Sequence, residues 1–243
     1  MLHQYFDKIY YINLDKDIKR RERCEELFKQ YRIKAERFAG INLQKEKENY
    51  LNYIPQNNKL NDGEIGCFLS HLLIIKEAKK CGYKNVLILE DDIEFQPNFI
   101  DLFEKFIKQL PQDWCLLYLS GNHIETPHLI SQNIMKIKKT LTTHSYAIKE
   151  EVYDIILQHP KLFQLPLDIF YAEYIQANYP SYCFYPHLTY QRPSHSHIQN
   201  QFVNYAFIEK YQLPLTINYF FKRPSDAIGR IAKKFVSIFK KFF

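Results

Sequence analysis

The stretch Leu87-Ile88-Leu89-Glu90-Asp91-Asp92 drives an apolar run straight into three adjoining acids. Adjacent carboxylates repel, and one of them stays protonated in a buried place unless a cation shares the charge. Hard divalent ions such as Mg²⁺ or Mn²⁺ take such oxygens and complete their shells with phosphate and water. An E-x-D at a strand end therefore suits a cation holding a diphosphate. Glu90 and Asp92 fall on one side if the strand continues that far. Two other readings stand beside this one. Acids cap helices, and a helix is expected to begin close by at Pro97. Receiver domains also place paired acids at a strand end, but after the first strand of a much shorter domain.

The elements that must hold this strand alternate in type. Lys8 to Leu14 is β-branched and aromatic and predicts a buried strand. Apolar residues from Ile18 through Cys24, Leu27, Phe28 and Tyr31 recur at helical spacing, after an N-cap at Asp15 or Asp17. A second strand is expected over Ile33 to Phe38 and a polar loop over Gly40 to Lys59. Asp62 is expected to cap a helix that Gly82 ends. Asn85 to Leu89 is the strand that meets the acids. Pro97 opens the next helix, and Trp114 to Leu119 is a further strand. This alternation predicts an α/β fold with a parallel sheet and helices on both faces. Ligands in such sheets bind beyond the carboxyl ends of the strands. Further on, Ile134 to Ile148 predicts a hairpin or two short strands. Helices follow near 150–158 and 168–178, then a strand near 181–185. The reading is one domain over residues 1–221.

Charge and composition exclude several classes. The chain carries a net charge of +6, and from Lys222 onward seven basic residues and one acid account for all of it. The domain itself is near neutral, which argues against nucleic acid as a partner. Only 6 Gly argue against a glycine-rich phosphate loop. The 5 Cys are scattered with no C-x-x-C pair, as expected of reduced, mostly buried thiols in the cytoplasm. The opening residues are interrupted by His3, Asp7 and Lys8, so no signal peptide is expected. Over 222–243 the large apolar residues Ile228, Ile231, Phe235, Ile238, Phe239 and Phe242 share one helical face, with Arg and Lys opposite or at its edges. A basic amphipathic helix of this kind predicts contact with an anionic membrane surface. Docking of that helix on the domain or on a partner subunit is the alternative.

The set INLD (12–15), GEIGCFLSH (63–71), LILEDDI (87–93), THSYAI (143–148), PLD (166–168) and PHLTYQ (186–191) resembles glycosyltransferase family 25. The resemblance implies a GT-A-like, mostly parallel sheet flanked by helices, a divalent metal (Mn²⁺ or Mg²⁺) and a nucleotide-sugar donor, commonly UDP-galactose. It implies an inverting transfer that makes a β-linkage. The acids resemble the D-x-D of GT-A enzymes with Glu90 in first place, so either Glu90 or Asp91 could face the nucleotide beside the metal ligand Asp92. His187 in PHLTYQ stands where GT-A enzymes often place a third metal ligand. Asp168 matches the family's acid in PLD and becomes the candidate general base, with helix capping as its alternative role and Glu173 as a weaker substitute. Asn13, Arg20 and Arg21 follow the first strand, where an amide could meet base or ribose and a guanidinium could meet phosphate. A solvated helix face is the alternative for the arginines. His71, His144, His195 and His197 are further candidates, and Gln191 is a candidate acceptor contact.

The expectation is a glycosyltransferase moving galactose from UDP-galactose to a lipooligosaccharide, held on the cytoplasmic face of the inner membrane by its tail. The alternatives are a catalytically silent glycan- or membrane-binding module, or a relative using another UDP-sugar such as UDP-glucose.

Overall fold

The structure, a computed structural model, describes residues 2–192, 194–196 and 201–203. The tail helix expected over 222–243 and His197 lie outside the described residues.

The strands are β1 (Lys8–Asn13), β2 (Glu36–Ala39), β3 (Asn85–Glu90), β4 (Ile93–Phe95), β5 (Leu116–Tyr118), β6 (Asn122–His123), β7 (His128–Leu129), β8 (Ile134–Lys136), β9 (Thr140–Leu141), β10 (Ser145–Lys149), β11 (Ser181–Phe184) and β12 (Thr189–Gln191). The helices are α1 (Ile18–Gln30), α2 (Leu43–Tyr50), α3 (Asp62–Cys81), α4 (Phe99–Ile107), α5 (Tyr153–Leu157) and α6 (Leu167–Phe170). Eight strands form one sheet in the order β2-β1-β3-β10-β5-β11-β8-β7. Three small ladders accompany it among the described residues, β4 with β12, β6 with β9, and β13 (Ser194–Ser196) with β14 (Gln201–Val203).

The α/β class read from the sequence is the one found, and the sheet, expected to be mostly parallel, is mixed. β10 runs antiparallel between β3 and β5, and β8 runs antiparallel to β11. Of the hairpin or two short strands expected over Ile134 to Ile148, the separate strands are found, since β8 and β10 do not pair with each other. Ser145, Tyr146, Ala147 and Ile148 are all buried, and a run that is apolar on both faces belongs inside a sheet rather than at its edge.

Side-chain alternation along β3 divides the core in two. Val86 and Ile88 enter the layer containing α3, while Leu87 and Leu89 enter the opposite layer with α1 and α4. The same parity carries into the acids. Glu90 continues the α3 side, and Asp91 continues the α1 side.

α3 is the longest helix among the described residues, at 20 residues. Asn61 caps it, where Asp62 was expected. The Asn61 side chain accepts the Glu64 amide at 3.0 Å, and the Glu64 carboxylate accepts the Asn61 amide at 2.9 Å, a reciprocal capping box. Gly82 ends the helix at φ 71°, the left-handed conformation that favours glycine. The polar loop expected over Gly40 to Lys59 instead contains α2, capped by Asn42 and anchored by buried Leu43. Pro97 precedes α4 rather than opening it, because Asn98 takes a left-handed turn at φ 58° and the helix starts at Phe99.

Part of GEIGCFLSH serves this packing. The Ile41 amide donates to the Ser70 hydroxyl at 2.9 Å, and that hydroxyl donates to the Gly66 carbonyl at 2.7 Å. A Cβ on Gly66 would stand 2.5 Å from the Ile41 carbonyl oxygen. The clash is with backbone, so Gly66→Ala is expected to cost about 1–3 kcal/mol and lower Tm by several degrees. An unchanged melting curve would show that the two segments are not held this closely.

Candidate active site

Strand parity gives the three acids different partners. Asp91 turns toward α1. Its Oδ2 accepts Asn13 Nδ2 at 2.7 Å and its Oδ1 accepts Arg20 at 2.5 Å. The Asn13 amide also donates to the Asp17 carbonyl and accepts Arg37 Nε. Burial pushes the Asp91 carboxyl up, and Arg20 and Asn13 offset part of that. Asn13, Arg20 and Asp91 thus form one buried knot, with their polar atoms aimed at one another. Arg21 lies further out on α1, 3.9 Å from Glu25.

Glu90 turns toward α3 and is partly exposed. Its Oε1 accepts the Thr143 hydroxyl at 2.8 Å and lies 3.6 Å from His71 Nε2. His71 is in turn hydrogen-bonded through Nδ1 to the Tyr146 hydroxyl at 2.9 Å, which reaches Tyr171 at 3.1 Å. Burial works to raise the Glu90 pKa, but His71, Thr143 and His144 outweigh it and hold this carboxyl below the ordinary glutamate value.

Asp92 sits in the turn between β3 and β4 and is 9 % exposed. Burial, followed by the neighbouring charges of Glu90 and Asp91, pushes its carboxyl up to about 7, with Arg20 and a hydrogen bond from Gln191 opposing. Its Oδ1 is buried with no hydrogen-bond partner among the described residues. The turn is clamped from outside by Arg192, whose amide donates to the Asp92 carbonyl at 2.7 Å and whose guanidinium donates to the Asp91 carbonyl at 2.9 Å. Gln191, read from the sequence as an acceptor contact, is here a partner of Asp92.

Asp168 opens α6. Its Oδ1 accepts the Ile169 amide at 2.8 Å and its Oδ2 the Thr142 amide at 3.3 Å. Burial raises its carboxyl despite those amides, and the Glu90 charge adds to the rise. Thr142 and Thr143 therefore tie Asp168 and Glu90 to one loop. The Sγ of Cys67 on α3 lies within 4.8 Å of ligating atoms of His71 and Glu90, and burial first, then the charges of Glu90, Asp168 and Asp92, pushes its thiol up. Glu173 lies apart, ion-paired with Lys139 at 3.3 Å.

His187, expected as a third ligand beside Asp92, faces His123 instead, with the two Nε2 atoms 3.2 Å apart. Among the described residues, the groups of three ligating atoms within 4.8 Å of one another are Cys67–His71–Glu90 and His123–Cys183–His187. Neither includes Asp92. The physical reason lies in the backbone, because the Leu188 amide donates to the Leu119 carbonyl and pins this segment to the end of β5. His144 is buried and bonded to the Ser120 hydroxyl, which is bonded to the Thr189 hydroxyl, and that in turn to Ser145.

The acids fit a hard divalent ion. Asp92 offers a buried carboxylate oxygen without a partner, Glu90 beside it stays ionised, and phosphate and water can complete the shell. Sequence reasoning missed Thr143, Arg192 and Cys67. All three adjoin or belong to quoted motifs, but only their tertiary contacts reveal the role.

The raised pKa of Asp92 has a sign for stability. Without metal, folding favours its neutral form, so stability falls as pH rises from the ordinary aspartate value near 4 toward 7. Asp92→Asn removes that penalty. In chelator, the variant is expected to gain roughly 1–3 kcal/mol on the wild type across this window. Melting curves at several pH values check this, and parallel pH profiles would contradict it.

Residues 6–171 match the family described as Glycosyltransferase family 25 (LPS biosynthesis protein). A Drosophila melanogaster glycosyltransferase 25 family member is 39 % identical over 104 residues, covering 38 % of this chain and 17 % of the relative. Procollagen galactosyltransferase 2 of Mus musculus is 26 % identical over 203 residues, covering 73 % of this chain and 32 % of the relative. Inactive glycosyltransferase 25 family member 3 of Homo sapiens is 37 % identical over 68 residues, covering 27 % and 11 %. The chain thus spans a third or less of the length of these relatives. With a match that runs from β1 through α6 and takes in the acids and Asp168, the chain belongs to glycosyltransferase family 25.

Proposed function

We propose that this chain transfers galactose from UDP-galactose to a lipooligosaccharide acceptor, inverting the anomeric centre to give a β-linkage. The observation that carries the reading is Asp92, a buried carboxylate with an unpartnered oxygen beside ionised Glu90 at the carboxyl end of a central strand. Galactose is supported by the likeness to procollagen galactosyltransferase 2, and the acceptor by the family's description as an LPS biosynthesis protein.

Mn²⁺ or Mg²⁺ held by Asp92 and Glu90 would supply positive charge to the departing diphosphate. The chain's own residues do the rest. His71 and Thr143 fix the Glu90 carboxylate and keep it ionised. Asn13, Arg20 and Arg192 fix the turn that presents Asp92. Asp168 takes the proton of the attacking hydroxyl. Its backbone hydrogen bonds set the orientation of the carboxylate, and burial makes it a stronger base than an exposed aspartate. The tail over 222–243 holds the enzyme to anionic lipid on the cytoplasmic face of the membrane where the acceptor is built, a reading supported by its basic amphipathic pattern.

A catalytically silent glycan-binding module is the second reading, favoured by the likeness to the inactive human member. UDP release, measured over a panel of UDP-sugars with and without chelator, separates the two. Asp92→Ala is expected to abolish transfer and metal-dependent UDP binding. Asp168→Asn is expected to lower transfer by about 10²–10⁴-fold, the usual worth of a general base, while donor affinity by calorimetry is kept. No release from any donor would support the silent module. Removal of residues 226–243 is expected to free the protein from anionic liposomes while a soluble acceptor is still used; co-sedimentation of the truncated protein would overturn the role of the tail.

A further inference from the structure

A second cluster includes none of the acids, and the transfer described above does not use it. His123 comes from β6, Cys183 from β11, and His187 from the turn that leads into β12. All three are buried, at 9 %, 0 % and 3 % exposure. Their ligating atoms lie within 4.8 Å of one another, and the Nε2 atoms of the two histidines are 3.2 Å apart. We propose that His123, Cys183 and His187 bind a borderline-soft divalent cation of the zinc class, in a site separate from the carboxylates.

The geometry suits this ion. With Zn–N bonds of 2.0–2.1 Å, adjacent nitrogens of a tetrahedral site stand about 3.3 Å apart, close to the observed spacing of the two imidazoles. Two imidazoles and a thiolate are a donor set for zinc or cobalt rather than for magnesium, which takes oxygens. The surrounding groups hold one ring ready. His123 Nδ1 is bonded to the Thr140 hydroxyl at 2.7 Å, a contact of the kind that fixes the tautomer of a ligating imidazole. Thr140 is itself gripped by Gln176, which accepts its amide and donates to its carbonyl, both at 2.8 Å. On binding, the imidazole whose Nε2–H makes the hydrogen bond between the histidines gives up that proton and carries one at Nδ1 instead, both Nε2 atoms bond the metal, the Cys183 thiol loses its proton to solvent, and water takes the fourth position. The ion would tie β6 and β11 to the segment that runs on to Gln191 and Arg192, the residues that hold Asp92 and its turn.

Cobalt(II) is the probe, because a thiolate–cobalt bond gives an intense charge-transfer absorption that oxygen ligands do not. The full chain, stripped with chelator, is titrated with Co(II). The expected result is that absorption with about one equivalent bound, retained in Asp92→Asn and in Cys67→Ser and lost in Cys183→Ser. His123→Asn is expected to weaken cobalt binding at least tenfold, which keeps the test open if Cys183→Ser does not fold. Zinc is expected to raise the Tm of the wild type and not that of His123→Asn. Absence of the absorption in the wild type, or its loss in Cys67→Ser with retention in Cys183→Ser, would overturn the proposal. Failure of transfer in Asp92→Ala alone leaves this site untouched, so the two readings are tested apart.

Discussion

The site depends on how one strand end accommodates three successive negative charges. Two adjoining carboxylates cannot both be buried ionised without help, and a third makes the arrangement costlier. The fold separates them by direction. Asp91 is turned into the α1 layer, where Arg20 and Asn13 take both its oxygens. Glu90 is turned into the α3 layer, where Thr143 and His71 take one of its oxygens. Asp92, in the turn, receives less compensation than either. Its charge is left unbalanced by the protein, and its pKa rises accordingly.

The surrounding architecture follows from the need to keep that turn still. α1 supplies Arg20 and the thiol of Cys24, which bonds the Asp91 carbonyl at 3.3 Å. The segment after β12 supplies Arg192 to both carbonyls of the turn. α3 supplies His71, and the chain leading into β10 supplies Thr143 and the His144 carbonyl that accepts the Glu90 amide at 2.9 Å. Four parts of the chain, far apart in sequence, thus converge on three residues. The buried tyrosines Tyr146 and Tyr171 extend the support behind His71, so the aromatic abundance of the sequence is here largely structural.

Much of the fold was legible because it rests on local patterns. The apolar run before Glu90, the periodicity of α1 and the glycine at Gly82 each act within a few residues, and the structure keeps all three. The misses have one cause in common. β10 reads as half of a hairpin or as one of two short strands, and it finds both its partners earlier in the chain, β5 and β3. Pairing over such distances leaves no periodic trace. α2 was hidden because its residues are mostly polar, and Leu43 alone anchors its start in the core. At the site, the acids and Asp168 were visible as residue types, whereas the company of His187 was not, since His123 lies 64 positions away.

The sequence by itself determined the strand that ends in acids, the long helix that carries GEIGCFLSH, and the family to which those motifs point. Residue type and short-range spacing suffice for these, because each reflects local propensity and side-chain parity. Only the tertiary structure decided that Asp91 braces the turn against Arg20 and Asn13, that Glu90 meets Thr143 and His71, and that His187 joins His123 and Cys183. Those assignments depend on which layer each side chain enters and on what a distant segment brings to meet it. Packing of the two faces of the sheet settles both.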